Sequence, residues 1–202
     1  IKRLFKHHVD NTTITEMLVN EAKIGVLLKH KNISRVLDLG QVNRLYYMAM
    51  EFMDGVPLKK LLELMKSKNG VLDYHQAIYI VSQILDGLHY THNLADDYGK
   101  PLEIVHCDIS PENIMLAFNG DIKIIDFGVA KSNLHSNVRK GYLTGKYNFM
   151  SPEQAGGKDI LFSSDIFSVG ILLYILITGE HPFGDNDVGA MGRIRSGNYE
   201  PP

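Results

Sequence analysis

Two short apolar runs, IMLAF and DIKIIDF, meet at Asn119-Gly120. This dipeptide between such runs is the strongest short signal for a β-hairpin, because both residues accept the positive φ angles of a tight turn. A hairpin returns the chain to its starting point, so Asp126 at the far end is expected near the residues that precede the first strand. Those residues are the polar patch HCDISPEN, which includes Asp108 and Asn113. The hairpin therefore predicts one cluster of polar side chains.

The polar patch also contains the only cysteine of the chain, Cys107, between His106 and Asp108. A thiol nucleophile needs a histidine within hydrogen-bond reach, and such partners usually come from distant segments. A zinc site needs paired Cys or His spacings, which are lacking here. We therefore expect His106 to be a hydrogen-bonded core histidine and Cys107 to be a small buried hydrophobic residue.

The other polar residues of the cluster indicate a different chemistry. Asp108, Asn113 and Asp126 offer two carboxylates and an amide oxygen. These are hard ligands that suit Mg²⁺ together with phosphate oxygens. The combination predicts metal-assisted phosphate chemistry.

Composition limits the class of protein. The chain has 202 residues, 45% hydrophobic and 22% charged, which is enough to bury a core in one or two domains. Its net charge is -2 and its basic residues are dispersed, so no footprint for nucleic acid or an anionic membrane is present. A single cysteine favours a cytoplasmic location. The apolar stretch 166–179 is shorter than the roughly 20 residues that cross a bilayer. The opening IKRLF and the ending NYEPP indicate a fragment.

The first part of the chain combines a helix with strands. Residues 13–30 have helical periodicity, with Thr13 and Glu16 in capping-box spacing. Glu21 lies within the apolar stripe, either at its edge with the carboxylate in water, or buried and paired with a cation. Two strand-like runs, RVLDLG and RLYYMAMEF, complete a small α+β lobe that ends near Phe52. The predicted inward face of the helix carries Met17, Glu21, Ile24 and Leu28.

Long helices dominate the second part. One is predicted from the capping pair Asp73 and Gln76 onwards. Another covers 166–179, with Ser163 or Ser164 as its cap and Gly179 as its end. The core positions predicted for the first of these helices are Ile78, Val81, Leu85 and Leu88.

Taken in order, these motifs resemble the catalytic core of protein kinases. HCDISPEN is similar to H-x-D-x-x-x-x-N, DFG follows at 126–128, and SPE at 151–153 stands in the place of A-P-E. DIFSVG at 165–170 resembles the helix start that follows in the family, and GEHPF at 179–183 resembles its continuation. Each motif alone is weak, but five in order over essentially the whole chain are a strong signal.

The resemblance implies an α+β, bilobal protein-kinase-like fold. Residues 1–53 would form an incomplete, small β-rich N-lobe with helix C and the hinge. Residues 54–202 would form a mainly helical C-lobe with the catalytic loop and the activation segment, incomplete at its end. The resemblance also implies a Gly-rich loop ahead of Lys2.

The resemblance also implies an activity and a set of site residues. It implies transfer of the γ-phosphoryl of ATP, with Mg²⁺, to Ser or Thr hydroxyls of protein substrates, in the cytoplasm or in the cytoplasmic domain of a membrane protein. Asp108 would orient the hydroxyl or accept its proton. Asn113 and Asp126 would bind the metal ions, and Lys2, paired with Glu21, would hold the triphosphate. Glu51, Met53 and Met115 would contact adenine, and His106 and Phe127 would stack in the hydrophobic spine.

Cys107 and Ser110 depart from the family pattern. Cys107 replaces the arginine that grips a phosphate on the activation segment, so we predict activity that does not depend on phosphorylation there. Ser110 replaces a lysine near the transferred phosphate, while Lys146 stands where a threonine is usual. The two positions meet beside the catalytic aspartate in the family. The residues therefore suggest an exchange in which Lys146 supplies the missing ammonium; the alternative is a solvated surface lysine.

A third departure is Gly25, one turn after Glu21, where the family has a bulky residue. We expect it to leave a hole on that helix face and to weaken the helix. A second function, a pseudokinase scaffold or regulatory ATP-binding module, stays open beside the enzyme.

Overall fold

A computed structural model describes residues 1–3, 12–43, 45–68, 70–127, 147–184, 188–199 and 201. The elements run in the order β1 (Lys2–Arg3), α1 (Thr12–Leu27), β2 (Val36–Val42), β3 (Leu45–Met50), β4 (Gly55–Pro57), α2 (Leu58–Ser67), α3 (Tyr74–His92), β5 (Ile114–Ala117), β6 (Ile122–Ile124), a 3-10 turn (Tyr147–Phe149), α4 (Pro152–Ala155), α5 (Phe162–Thr178) and α6 (Val188–Ser196). The predicted α+β class is confirmed.

The first sheet places Lys2 beside α1. Its strand order is β1-β3-β2, all antiparallel, with Lys2 opposite Met48. Helix α1 packs on this sheet through Leu18 and Ala22, which form a small core with Met48. Because β1 is paired with β3 and α1 packs on β3, the Lys2 side chain faces the inner face of α1.

The second sheet contains the predicted hairpin. Its order is β4-β5-β6, and β5 and β6 are antiparallel partners joined through Asn119 and Gly120, which has a φ of 94°. The hairpin prediction is therefore confirmed. Strand β6 lies against α3, which connects the hairpin to the main helical core.

Helix α3 is rotated relative to the sequence prediction. Asp73 is its N-cap and accepts a hydrogen bond from the His75 amide at 2.9 Å. The prediction that Ile78 and Leu85 lie in the core is wrong, because these residues are 54% and 36% exposed. Val81 and Leu88 are buried as predicted, and the rest of the buried stripe lies beside them, on the side where α5 and β6 pack. The residues of the buried stripe are Ala77, Ile80, Val81, Ile84 and Leu88.

Helix α1 differs in two details from its prediction. Met17 is 38% exposed, whereas the neighbouring Leu18 is buried, so the inward face runs through Leu18, Glu21 and Ile24. The side chain of Thr13 lies outside the described residues. The hole expected at Gly25 is also wrong: a Cβ built there would lie 2.3 Å from Val36 Cγ2. The side chain of Val36 fills the space, so glycine permits close packing of the helix on β2.

Helix α5 begins earlier than predicted. Its N-cap is Leu161, and Ser164 lies in the first turn, where its hydroxyl accepts a hydrogen bond from the Leu161 amide at 3.2 Å. Neither Ser163 nor Ser164 is the cap. Gly179 ends the helix with a φ of 78°, as predicted. None of the helices in the described part of the chain has the length and apolar character to span a bilayer.

Candidate active site

Asp108 and Asn113 are held together in the loop that precedes β5. The Asn113 Nδ2 atom donates to the Asp108 carbonyl and to its Oδ2 atom, both at 2.8 Å. The Asn113 amide donates to the Ser110 carbonyl at 2.9 Å, which closes the loop on itself. The two residues that sequence spacing paired are therefore in direct contact.

The hairpin returns Asp126 to the same place. The Ile125 amide donates to the Asn113 carbonyl at 2.9 Å, so the residue before Asp126 is fixed beside the loop. Lys2 reaches Asp126 Oδ1 at 2.9 Å and binds both carboxylate oxygens of Glu21 at 2.7 and 2.8 Å. A helix, a strand and the end of the hairpin thus converge on one ammonium group.

This cluster has one ammonium and two carboxylates, and its titration reflects that imbalance. Burial of Glu21 and the nearby Asp126 carboxylate raise the pKa of Glu21 to about 7, against the opposing effect of Lys2. Burial by itself lowers the pKa of Lys2, but Glu21 and Asp126 together raise it above its ordinary value. Glu21 is 5% exposed and is paired with Lys2, so of the two alternatives for this residue the structure shows the buried ion pair.

His106 connects the loop to the hairpin. Its ring is fully buried, accepts from the Asp108 amide at Nδ1 and bonds the Ile125 carbonyl through Nε2, both at 3.2 Å. Since a carbonyl only accepts, Nε2 carries the proton and the ring is the neutral tautomer. The ring also packs edge-on against Phe127, with centroids 4.6 Å apart. The predictions of a core histidine and of a His106–Phe127 contact are confirmed.

Cys107 lies at the edge of the site. It is half-buried rather than buried, and its Sγ donates to the Val105 carbonyl at 3.3 Å. The expectation of a buried Cys107 is therefore wrong, because the loop leaves its side chain partly exposed. Its backbone has a positive φ of 67°. No arginine occupies this position, so the site lacks the side chain that would grip an activation-segment phosphate.

The donor set fits a magnesium ion. Asn113 is 7% exposed, and its Nδ2 is used by Asp108, so the planar amide directs Oδ1 away from that residue. An amide oxygen and the Asp126 carboxylate are hard ligands of the kind that Mg²⁺ prefers. Within the described residues no group of three or more His, Cys, Asp and Glu converges, as a protein-only metal cage would require. Asn113 and Asp126 are thus suited to a metal that also binds phosphate.

Two of the residues expected at adenine lie in the segment between β3 and β4, and the third lies on β5. Glu51 and Met53 follow β3, and Met115 is half-buried on β5 opposite Pro57. Among the described residues, neither the Glu51 carbonyl nor the Met53 amide has a hydrogen-bond partner. One acceptor and one donor are therefore available there, although their contact with adenine stays a prediction.

The proposed lysine exchange is only partly visible. Ser110 is fully buried in the loop beside Asp108. Lys146 lies outside the described residues, as do Gly128 and the rest of 128–146. The exchange of Ser110 and Lys146 therefore stays a prediction.

Sequence reasoning missed two residues that support the loop. Asp165, 1% exposed on α5, accepts from the His106 and Cys107 amides at 2.9 Å and pairs with His92 at 2.8 Å. Gln154 on α4 donates to the Cys107 carbonyl at 2.7 Å. The position of Asp165 in the first turn of an apolar helix could have indicated that its carboxylate is buried and paired. The spacing of SPEQ predicts only a capping box for Gln154.

Comparisons with known proteins agree with this geometry. The family model described as "Protein kinase domain" matches residues 1–197. A tyrosine-protein kinase, MasK of Myxococcus xanthus, is 35% identical over 100% of this chain and 32% of its own length. The serine/threonine-protein kinase PrkC of Bacillus subtilis is 33% identical over 91% of this chain and 26% of its own length.

A third relative, the serine/threonine-protein kinase PknB of Mycolicibacterium smegmatis, is 33% identical over 83% of this chain and 26% of its own length. The chain thus spans about a third or less of these curated relatives. The family model, the bacterial relatives and the order of the site residues lead to one assignment. The chain belongs to the protein kinase domain family.

Proposed function

We propose that this chain is the catalytic part of an ATP-dependent protein kinase that phosphorylates Ser and Thr hydroxyls of proteins. The observation that carries the proposal is the paired arrangement of Asp108 with Asn113 and of Lys2 with Glu21 and Asp126. A scaffold that does no chemistry has no need for a buried carboxylate bound to an ammonium beside a second carboxylate, since burial of such charges costs free energy.

Each residue has a distinct role in this proposal. Asp108, oriented by Asn113, accepts or directs the proton of the substrate hydroxyl. Lys2, oriented by Glu21, binds the phosphates of ATP, while Asn113 and Asp126 would hold Mg²⁺. The metal supplies positive charge that neutralises the phosphate oxygens. Glu51, Met53 and Met115 would position the adenine, so the reaction relies mainly on orientation and charge.

The Ser/Thr specificity is drawn from relatives and from the motif SPEN. Several relatives carry the name serine/threonine-protein kinase, whereas MasK is a tyrosine-protein kinase at similar identity. Phosphoamino-acid analysis of the product decides between them: phosphoserine or phosphothreonine is expected, and phosphotyrosine alone contradicts the proposal.

Two finer proposals concern Lys146 and the activation segment. We infer that the Lys146 ammonium takes the place of the lysine that Ser110 replaces. We also infer that activity does not require phosphorylation of the activation segment, because Cys107 cannot grip a phosphate. A cytoplasmic location and the two-lobe division at residue 53 complete the proposal.

Phosphate transfer tests the main proposal directly. The full-length protein, with ATP and Mg²⁺, is expected to phosphorylate a general protein substrate. Asp108→Asn should lower kcat by about 10²–10⁴-fold, because the amide keeps the shape and loses the proton acceptor. ATP binding without transfer in the wild type would favour the pseudokinase alternative. Equal rates in both proteins would remove Asp108 from the mechanism.

A second experiment tests independence from phosphorylation. Ser132, Ser136, Tyr142 and Thr144 all lie between DFG and SPE. Replacing Ser and Thr by Ala and Tyr by Phe together should leave kcat within about twofold. Loss of activity in a folded quadruple variant would show that a phosphate on this segment is needed.

A further inference from the structure

The side chain of Gln154 joins the catalytic loop to the short helix α4. Its Oε1 atom accepts from the Ser151 amide at 2.9 Å, which completes the capping box of α4 with the Ser151 hydroxyl. Its Nε2 atom donates in the other direction, to the Cys107 carbonyl at 2.7 Å. One amide therefore spans two segments that are far apart in sequence.

The carbonyl that Gln154 binds belongs to a strained residue. Cys107 has a φ of 67°, in the left-handed region that residues with a Cβ rarely adopt. Such a conformation persists only where the surroundings hold it. Its amide is held by Asp165 Oδ1 at 2.9 Å, and its carbonyl by Gln154. The two peptide groups that flank Cys107 are thus each held by a side chain: the first by Asp165 from α5, and the second, which leads into Asp108, by Gln154 from α4.

The same position lacks the arginine that would bind a phosphate. With Cys107 there, a charged contact between the catalytic loop and a phosphorylated segment cannot form through this side chain. The backbone of Cys107 is tied to the start of α4 by a neutral hydrogen bond that needs no modification.

We propose that Gln154 is a positioning residue that fixes the Cys107 peptide, and with it Asp108, in the active orientation without a phosphate on the activation segment. The proposal rests on the proposed kinase function and adds how its site is kept active. Gln154 does not touch the reacting atoms; it acts through the backbone of Cys107.

Gln154→Glu separates this role from helix capping. A glutamate at this position keeps the acceptor for the Ser151 amide, as glutamate does in capping boxes. It replaces the Nε2 donor by an oxygen that faces the Cys107 carbonyl and repels it. We expect kcat for a protein substrate to fall about 10- to 100-fold, with KM for ATP within about twofold and Tm close to that of the wild type.

The pH profile distinguishes positioning from general damage. A glutamate facing a carbonyl has a pKa above its ordinary value of about 4.3. When it is protonated, its hydroxyl can donate to the Cys107 carbonyl again. The ratio of wild-type kcat to Gln154→Glu kcat should therefore decrease towards 1 as the pH falls from 7 towards 5. Gln154→Met, which has no donor, should show no such recovery.

Gln76→Glu is the matched control, because Gln76 is exposed on α3 and the chemical change is the same. Its kcat and pH profile should equal those of the wild type. Unchanged kcat in Gln154→Glu at pH 7 would overturn the proposal. So would an activity deficit that persists in full at pH 5.

Amide hydrogen exchange keeps the positioning role testable if the wild type transfers no phosphate. Exchange of the 105–109 peptide should be faster in Gln154→Glu than in the wild type and in Gln76→Glu. An inactive wild type with this difference would refute the kinase function and leave the backbone tie in place. Identical exchange in all three proteins would overturn the tie itself.

Discussion

Two residues of the candidate site have a strained backbone. Cys107 and Asp126 both have positive φ, at 67° and 64°, and both lie in the candidate site. Positive φ at residues other than glycine costs free energy, so the surrounding hydrogen bonds must offset it. At Cys107 those bonds come from Asp165 and Gln154. No sequence pattern shows this strain, because it exists only once distant segments hold the loop.

The raised pKa of Glu21 predicts how the free energy of unfolding of the metal-free protein depends on pH. Its pKa is raised from 4.5 to about 7 on folding, so the folded state binds the proton more tightly than the unfolded state. The contribution of Glu21 to stability is therefore fully present below pH 4.5 and is lost as the pH rises through about 7. Denaturant unfolding from pH 4 to 8 should show the wild type losing stability relative to Glu21→Gln over this range. A constant difference between the two proteins would contradict the assignment.

Lys146 is tested by its removal. If its ammonium stands near the transferred phosphate, Lys146→Ala should lower kcat by about tenfold or more, because a charge that stabilises the transition state is lost. Lys158→Ala is the control, since Lys158 is an exposed lysine shortly after the SPEQ motif. A kcat for Lys146→Ala within error of the wild type would show that Lys146 is a surface residue.

Elements were predictable where local chemistry decides them. The Asn119-Gly120 hairpin, the Asp73 cap and the Gly179 end of α5 all appear as expected. The orientation of a helix was harder. Helix α3 has apolar residues on two adjacent stripes, and only packing against α5 and β6 selects one of them. Likewise, the sequence predicts a hole in the packing at Gly25, and only the structure shows that the Val36 side chain fills it.

The orientation of α3 can be checked by paired substitutions. Ile84 is fully buried, whereas Ile78 is 54% exposed on the same helix. Ile84→Ala should lower the free energy of unfolding by about 3 kcal/mol, because it leaves a cavity in the core. Ile78→Ala should lower it by about 0.5 kcal/mol. Urea unfolding of both variants measures this, and equal losses would place Ile78 in the core.

In the whole molecule, the segment between α1 and β2 is hydrogen-bonded directly to strand β6. The Ser34 amide donates to the Ile124 carbonyl at 2.9 Å, and the Ile124 amide donates to the Asn32 carbonyl at 2.8 Å. A second link is the ion pair of Glu51 with Lys123, at 2.7 Å, with side chains 21% and 14% exposed. Glu51 Oε1 is buried and accepts no well-aligned hydrogen bond among the described residues, so the Lys123 charge compensates it. Strand β6 thus connects the segment after β3 to Asp126.

The ion pair of Glu51 with Lys123 should stabilise the folded protein, because both side chains are largely buried and their charged atoms are in contact. Lys123→Met leaves the Glu51 carboxylate without its cation in a half-buried place, and should lower the free energy of unfolding by about 2 kcal/mol. Glu51→Gln combined with Lys123→Met removes the unpaired charge and should recover part of this loss. A double-mutant cycle from urea unfolding gives the coupling. A coupling free energy of zero would show that the pair is merely adjacent.

Local motifs were enough to identify the family, to predict the hairpin that brings Asp126 back to Asp108 and Asn113, and to name Lys2 and Glu21 as partners. These depend on motifs and turn chemistry that act over a few residues. Packing between distant segments selects which stripe of α3 is buried, what fills the space at Gly25, and which side chains hold the loop around Asp108. Those outcomes depend on contacts between segments far apart in the chain, such as Gln154 with Cys107, and such contacts leave no periodicity in the sequence.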